Sequence, residues 1–315
     1  MLDPLFLTPV FQERIWGGTA LRERFGYNIP FERTGECWAV SAHPNGASKI
    51  ASGALRGMTL KDVWDQYPSL FGSSNMREFP LLVKILDAND DLSVQVHPDD
   101  KYASLYENEP FGKTECWYIL DCSQDARLVL GHTAKTKQEL QQYIDTNNWK
   151  SLLTEIPIKP GDFFFVPSGT VHALGKGILV LEVQQSSDVT YRLYDYDRID
   201  EHGKKRDLHL DKAIDVICIP NRVSRYEPTS INYKTHTFTT LIESRYFSVY
   251  KVNVHSSFSY ESKDKYLLLN VLSGAGSIIS TDTRYSIKCG DHLLIPYGFG
   301  SFTIEGNTEI IISHP

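Results

Sequence analysis

The sequence predicts a mostly β fold, organised as two barrels of one kind with a few covering helices. Three observations carry that prediction. Short strand-like runs separated by turn residues recur through the 315 residues. Helical periodicity is confined to a few segments. One turn–strand–turn pattern occurs twice with identical internal spacing. Many short strands at such spacing are the mark of a sandwich or barrel.

The runs are Leu81–Leu86, Leu92–His97, Cys116–Asp121, Ala126–Gly131, Asp162–Pro167 and Ile178–Gln184, and later Tyr266–Leu272, Arg284–Ile287, His292–Pro296, Phe302–Ile304 and Glu309–Ile312. Two helices are announced by capping boxes, a hydroxyl answered by an acid three residues on: Thr59 with Asp62, and Thr136 with Glu139. The second opens a helical pattern through Leu140, Tyr143, Ile144 and Trp149. A third lies near His209–Ile217, where Leu210, Ala213, Ile214 and Ile217 fall at helical spacing. The helices are expected to cover barrel edges and carry no catalytic signal.

The repeat is Gly161-Asp162-(x)4-Pro167-x-Gly169, which recurs as Gly290-Asp291-(x)4-Pro296-x-Gly298. Each copy reads as a turn, a buried strand and a second turn that returns the chain across a barrel mouth. The first copy continues to His172, and the second reaches Ser301 at the matching place. The sequence therefore predicts a metal-binding unit over 1–220 and a second, degenerate barrel without metal over 221–315. Their join falls in the polar stretch Pro220–Ile231.

Composition narrows the function. Hydrophobic residues make up 41% of the chain and aromatic residues 12%, enough to bury a core. A formal charge of −7 provides no basic field to recruit nucleic acid or anionic lipid, so cations that matter act locally, inside a pocket. No apolar run approaches the roughly 20 residues that span a bilayer. Met1–Gln12 contains Asp3, two prolines and no cationic leader, unlike a signal peptide. The five cysteines are odd in number, widely spaced and without a CxxC, which predicts reduced structural thiols and a cytoplasmic setting.

Three segments carry chemistry. Asp91–Pro98 alternates strictly, so Ser93, Gln95 and His97 share one face of a strand. That face delivers an amide oxygen and an imidazole close enough to chelate one ion, or else it is the solvated side of an edge strand. Gly112-Lys113-Thr114-Glu115 places Lys113 and Glu115 on one face; taken singly, such a pair is an ordinary ion pair. Gly161-(x)5-Pro167-x-Gly169-x2-His172 is the most specific of the three.

This last spacing resembles the second motif of the cupin superfamily, whose folds are jelly-roll barrels and whose His is a metal ligand. The first cupin motif departs from the common pattern, with Gln95 where a His is usual and with His97 and Glu115 in the other places. A neutral amide oxygen is a weaker ligand for late transition metals than imidazole. The departure narrows the resemblance to the type I mannose-6-phosphate isomerases. Gln95-Val96-His97-Pro98, Lys113-Thr114-Glu115, His172 and Ser187-Asp188-Val189-Thr190-Tyr191-Arg192 match that family's order of motifs. Arg14-Ile15-Trp16-Gly17-Gly18 and Gly35-Glu36-Cys37-Trp38 look like its amino-terminal segments. Long members insert a helical domain between the Glu and His ligands. Here 56 residues separate Glu115 from His172, which implies a short form.

The resemblance implies one zinc ion per chain, held by Gln95, His97, Glu115 and His172. It implies a hexose phosphate substrate touched by Ser93, Lys113 and Arg192, in a monomer or small homo-oligomer. It also implies interconversion of mannose 6-phosphate and fructose 6-phosphate through a cis-enediol, with Arg192 as the active-site arginine. The residues make chemical sense beside it. Two His, a Glu and a Gln suit zinc. Two His and one carboxylate also serve non-haem iron oxygenases, but the cations Lys113 and Arg192 favour a phosphorylated sugar. A non-catalytic sugar-phosphate-binding cupin is the other alternative. Candidates for the general base are Asp188, a water on the metal, and Lys113 with a depressed pKa. The sequence does not choose among them.

Other residues carry weaker signals. His43 sits in a turn, and His132, His202, His209 and His255 have no partner at ligand spacing. His292 lies in the degenerate barrel. Asp99-Asp100 reads as a solvated turn. Trp16 and Trp38 either line a sugar pocket or are buried structural residues.

Overall fold

The computed structural model describes residues 2–72, 76–199, 203–222, 226–262, 265–281 and 283–315. His202 and the middle of the expected join, 223–225, lie outside them.

The first barrel is two antiparallel sheets. One has the strand order Phe163–Val166, Glu115–Cys122, Ile178–Gln185, Leu81–Ala88, Thr34–Val40, Val10–Gly18. The other runs Tyr191–Tyr194, Val94–Val96, His172–Leu174, Arg127–His132, Leu153–Pro157. Trp16, Leu86, Trp117, Leu128, Leu174 and Val180 from both sheets pack in one cluster between them. The β architecture is built as the sequence expects, but the strand bounds differ: Leu92–His97 and Asp162–Pro167 shorten to Val94–Val96 and Phe163–Val166, Tyr266–Leu272 lengthens to Leu267–Ser280, and Phe302–Ile304 and Glu309–Ile312 are one strand, Gly300–His314.

Pattern and burial explain why the central strands read as nearly continuous apolar runs. In Ile178–Gln185 every residue is buried. Ile178 and Val180 face the barrel interior. Leu181 and Val183 face outward and pack with Val83, Ile85, Phe247, Leu268 and Ile311. Of these partners Leu268 and Ile311 belong to a ten-stranded sheet built mainly from 229–314. A strand buried on both faces loses its alternation of polarity, so Glu182 and Gln184 stand out as polar residues on an inner, buried face.

The ten-stranded sheet encloses a core of its own, with Val252, Leu269, Val271, Leu293, Phe302 and Ile312 inside. Its interior is apolar throughout that cluster. Leu5–Thr8 and Lys49–Ile50, from the start of the chain, also belong to this sheet: Leu5 pairs with Leu294 and Leu7 with His292. The chain therefore enters the second sheet before building the first barrel.

Both copies of the repeat fold alike. Gly161 and Gly290 take φ of +90° and +88°, and Gly169 and Gly298 take +81° and +75°, a region that favours glycine. Asp162 and Asp291 each accept from the backbone N–H three residues back, at 2.9 and 2.8 Å. After the second turn the copies diverge. His172 opens an inward strand, whereas Ser301 is exposed.

The sequence expects helices at barrel edges; those of 137–152 and 210–216 instead cover the outer face of the five-stranded sheet, central strands included. Thr59 and Asp62 complete a full capping box at Leu60–Gln66. Thr136 caps Lys137–Asp145, but the Glu139 carboxylate turns to the Lys135 N–H instead. Trp149 starts a separate short helix, Trp149–Leu152. With Leu210–Val216 these elements bury Leu140, Ile144, Trp149 and Ala213 against the outer residues Val94, Val96, Tyr191 and Leu193. The outward side of that strand is thus covered, which leaves Ser93, Gln95 and His97 facing in.

Candidate metal centre and active site

Strand pairing places the polar row. Gln95 is the direct partner of His172 on one side and of Arg192 on the other. On the facing sheet Glu115 pairs with Gln184, and Glu182 pairs with both Trp117 and Lys84. Of these, Gln95, Arg192, Trp117, Glu182 and Lys84 line a cavity of about 310 Å³ with Trp16, Ser93, Lys113 and Asp188, while His172 and Glu115 lie buried behind it. A larger cavity of about 710 Å³, lined by His43, Lys61, Arg77 and Glu109, holds none of the converging ligand atoms.

The deepest group is His97, Glu115 and His172, all buried, with one ligand atom from each lying within 4.8 Å of the others. His97 Nε2 and His172 Nε2 are 3.1 Å apart and stand 3.5 and 3.3 Å from the Glu115 oxygens. Each imidazole is fixed from behind: His97 Nδ1 bonds the Val189 carbonyl and His172 Nδ1 the Thr170 carbonyl, both at 2.9 Å. A carbonyl only accepts, so both Nδ1 atoms carry the proton and both Nε2 lone pairs point inward. Gln95 joins the group, its amide 3.4 Å from His172 Nε2.

The Glu115 oxygens are fully buried and accept no well-directed hydrogen bond. Lys113 Nζ stands 2.9 Å from Glu115 Oε2 and 2.9 Å from His97 Nε2. Burial favours a neutral Glu115, but the Lys113 ammonium, then the facing His97 and His172 rings, outweigh it and hold the carboxyl well below its usual range. Burial, aided by Lys113, lowers His97 to about 3, so the imidazole is neutral. A buried carboxylate held ionised by Lys113 and two neutral imidazoles with inward lone pairs are the donor set a divalent metal requires. The residues fit.

Lys113 is corrected as a candidate base. Burial works to lower its pKa, but Glu115 and Glu182 overcome that and raise it, so it stays an ammonium. Asp188 lines the cavity, and its carboxylate accepts from Asn45 Nδ2 at 3.2 Å. Arg192 does not pair with Asp195. Its Nε donates to Ser93 Oγ at 3.2 Å and its Nη1 to the Asp207 carbonyl at 2.8 Å. Burial, then Arg206, lowers its pKa.

The structure adds residues that sequence reasoning passed over. Glu182 accepts from Trp117 Nε1 at 2.8 Å, and burial together with the Glu115 charge pushes it up to about 7. Lys84 lies 3.9 Å from Glu182 and 3.8 Å from Glu36. Glu36 in turn takes the Arg14 guanidinium at 2.8 Å and Trp38 Nε1 at 2.6 Å. Of the two tryptophans, Trp16 lines the cavity and Trp38 holds Glu36. The signal in the sequence was a lone charge within an apolar run, at Lys84 and at Glu182.

Asp99 is exposed, as a solvated turn would have it, yet both it and Asp100 also act as anchors. Asp99 caps the helix Asp100–Tyr106, and Asp100 Oδ1 accepts from Gly112 N and Gln185 Nε2, both at 2.8 Å. A Cβ on Gly112 would meet the Asp99 carbonyl carbon at 2.4 Å, so glycine permits this close approach beside Lys113. Gly35 does the same at the mouth, where a Cβ would meet Arg14 Cβ and Trp16 Cζ3 at 2.6 Å.

Among the described residues, the other histidines named from the sequence lie outside the cluster. His209 accepts from Arg192 N and fixes its backbone. His132 bonds the Cys218 carbonyl, His292 bonds Tyr27 and Asn270, His43 accepts from Asn45 N, and His255 is exposed. Among the described residues no helix is long and apolar enough to cross a membrane.

Comparison with known proteins is consistent along the whole chain. Residues 5–118 match the family described as phosphomannose isomerase type I, catalytic domain, and residues 237–315 match the mannose-6-phosphate isomerase cupin domain. A probable mannose-6-phosphate isomerase of Bacillus subtilis is 55% identical over 315 residues, all of both chains. A mannose-6-phosphate isomerase of Streptococcus mutans is 48% identical over 314 residues, covering 100% of this chain and 99% of the other. A crystal structure of a Bacillus subtilis mannose 6-phosphate isomerase, 48% identical, superposes with a TM-score of 0.97 over 99% of this chain and 100% of that one. A phosphomannose isomerase of Salmonella typhimurium, only 16% identical, shares the fold with a TM-score of 0.81 over 99% of each chain.

Proposed function

The chain belongs to the type I mannose-6-phosphate isomerase family, and from that premise we propose that it interconverts D-mannose 6-phosphate and D-fructose 6-phosphate through a cis-enediol. The observation that supports this most is the buried His97–Glu115–His172 cluster lying directly behind Gln95 and Lys113, which line a cavity together with Arg192.

We assign one zinc ion per chain to His97, Glu115 and His172, with the Gln95 amide beside them. When bound, zinc would supply Lewis-acid stabilisation of negative charge on a substrate oxygen. The protein side chains do the rest. Glu182, pushed up to about 7, is tuned to take a proton from C2 and return it to C1 near neutral pH. Its placement makes it a better base than Asp188, which is more exposed and held by Asn45. Lys113 remains charged, and with Lys84 beside Glu182 it offsets the growing enediolate charge.

The sheet also sets the length of the substrate. Arg192 and His172 flank Gln95 in adjacent strands, so their backbones are about 10 Å apart. That span separates a phosphate at Arg192 and Ser93 from a carbonyl end at the metal cluster. Trp16, Trp117, Leu92 and Leu174 wall the space between and keep bulk water out.

The second barrel, 221–315, has an apolar interior and acts as a buttress: its outer residues back the six-stranded sheet that carries Glu115 and Glu182. The free thiols fit a reducing compartment, and we place the enzyme in the cytoplasm, as a monomer or small homo-oligomer.

The test is the reaction run in D2O and followed by NMR. Proton transfer through an enediol exchanges with solvent, so fructose 6-phosphate should form and carry deuterium at C1. Absence of product would sink the activity, and unlabelled product formed at an undiminished rate by Glu182→Gln would sink the enediol route through Glu182.

A further inference from the structure

One end of the cavity carries more positive charge than the metal cluster uses. Arg192 and Arg206 both line it. Arg192 bonds only neutral groups, Ser93 Oγ and the Asp207 carbonyl. Arg206 and Arg198 share one carboxylate, Asp195, which is 5% exposed. Arg206 Nε donates to Asp195 Oδ2 at 2.8 Å, Arg206 Nη2 bonds Oδ1, and Arg198 Nη2 reaches the same Oδ1 at 2.5 Å. Arg198 is committed elsewhere as well, to the Asp91 carbonyl and the Tyr196 ring face. Arg206 uses one edge of its fork on Asp195; among the described residues its Nη1 has no partner, and neither has Arg192 Nη2. Three guanidinium charges meet one buried carboxylate there, with the Asp207 carboxylate exposed nearby.

We propose that Arg192 and Arg206 form the two halves of a clamp for the substrate phosphate, and that Asp195 is the positioning residue that aims Arg206. This rests on the isomerase reading above and deepens it. A phosphate dianion accepts from two guanidinium edges at once, and planar forks held in advance lose little freedom on binding. Asp195 touches neither substrate nor metal ligands; it holds Arg206 in place against repulsion from Arg192.

The experiment uses the zinc-loaded full chain, with KM and kcat for mannose 6-phosphate, inhibition by inorganic phosphate, and calorimetric binding of inorganic phosphate. Arg206→Ala should raise KM and the phosphate inhibition constant together, by about tenfold to a hundredfold, the scale of a hydrogen bond to a charged group, with kcat within about threefold. Asp195→Asn should reproduce that pattern although Arg206 is still present, and Arg206→Lys should not restore the native values. If Arg206→Ala leaves KM and phosphate binding within about twofold of native, the clamp is wrong. Should Asp195→Asn fail to fold, Arg206→Ala decides alone, because its side chain is 28% exposed and its removal opens no core. A native chain that binds phosphate, loses it in Arg206→Ala and yet turns over no mannose 6-phosphate would keep the clamp and overturn the isomerase reading.

Discussion

Glu115 and Glu182 project from adjacent strands into one end of the barrel, diagonal neighbours on the same face, and their surroundings drive them in opposite directions. Glu115 is buried, but Lys113 and two imidazoles keep it ionised. Glu182 is buried too, and burial with the Glu115 charge pushes it up to about 7. Two carboxylates with separated pKa values mark two separate tasks, here a metal ligand and a proton carrier.

Replacing Glu182 with Gln should lower kcat by about 10²- to 10⁴-fold, the range for loss of a positioned general base. Zinc content should be unchanged. A base must be deprotonated to act, so native kcat/KM should rise with pH through a limb between the ordinary carboxylate range and about 7. A metal on Glu115 relieves one cause of the shift and moves the limb to the lower part of that window. Near-native turnover in the variant would return the role to Asp188.

The same shift predicts a stability effect. A carboxyl whose folded pKa is raised favours the fold while protonated; that contribution is complete below its unfolded pKa and is lost as pH rises through about 7. Metal-free Glu182→Gln should therefore resist urea better than the metal-free native chain at pH 8, and show no such advantage at pH 4. Equal midpoints at pH 8 would contradict the assignment of the shift to burial.

His172→Ala should remove bound metal, measured by elemental analysis. Zinc should raise the melting temperature of the native chain and leave that of the variant unmoved, because a ligand that binds only the folded state stabilises it by mass action. Stoichiometric zinc in the variant would place the metal elsewhere.

Arg192→Ala should keep zinc and folding while lowering kcat/KM by about 10²-fold or more, the scale of losing one preorganised charged donor. Lys at this position retains charge but loses the fork, so it should recover little.

Much of this site was legible because it lies on short, strongly patterned segments. Alternation from Ser93 to His97 fixes which side chains share a face, and the Pro167–Gly169 turn fixes where His172 enters. Glu182 and Lys84 were not legible. Each is one charge in an apolar run, and they become a pair only because their strands align in register, residue against residue. A single sequence carries no record of that register. The same limit hid the pairing of Leu5–Thr8 with His292–Ile295, and the pair of bonds by which His209 fixes Arg192. Asp99 and Asp100 read as solvent-facing because charge is visible in a sequence and the backbone N–H groups it caps are not.

The measurement that bears most directly on the central claim is an aldose–ketose assay of the purified chain before and after chelation. The account predicts that the zinc-loaded protein converts mannose 6-phosphate to fructose 6-phosphate, that removal of the metal abolishes conversion, and that added zinc restores it. Undiminished turnover in the metal-free chain, or no turnover in the zinc-loaded one, would contradict it.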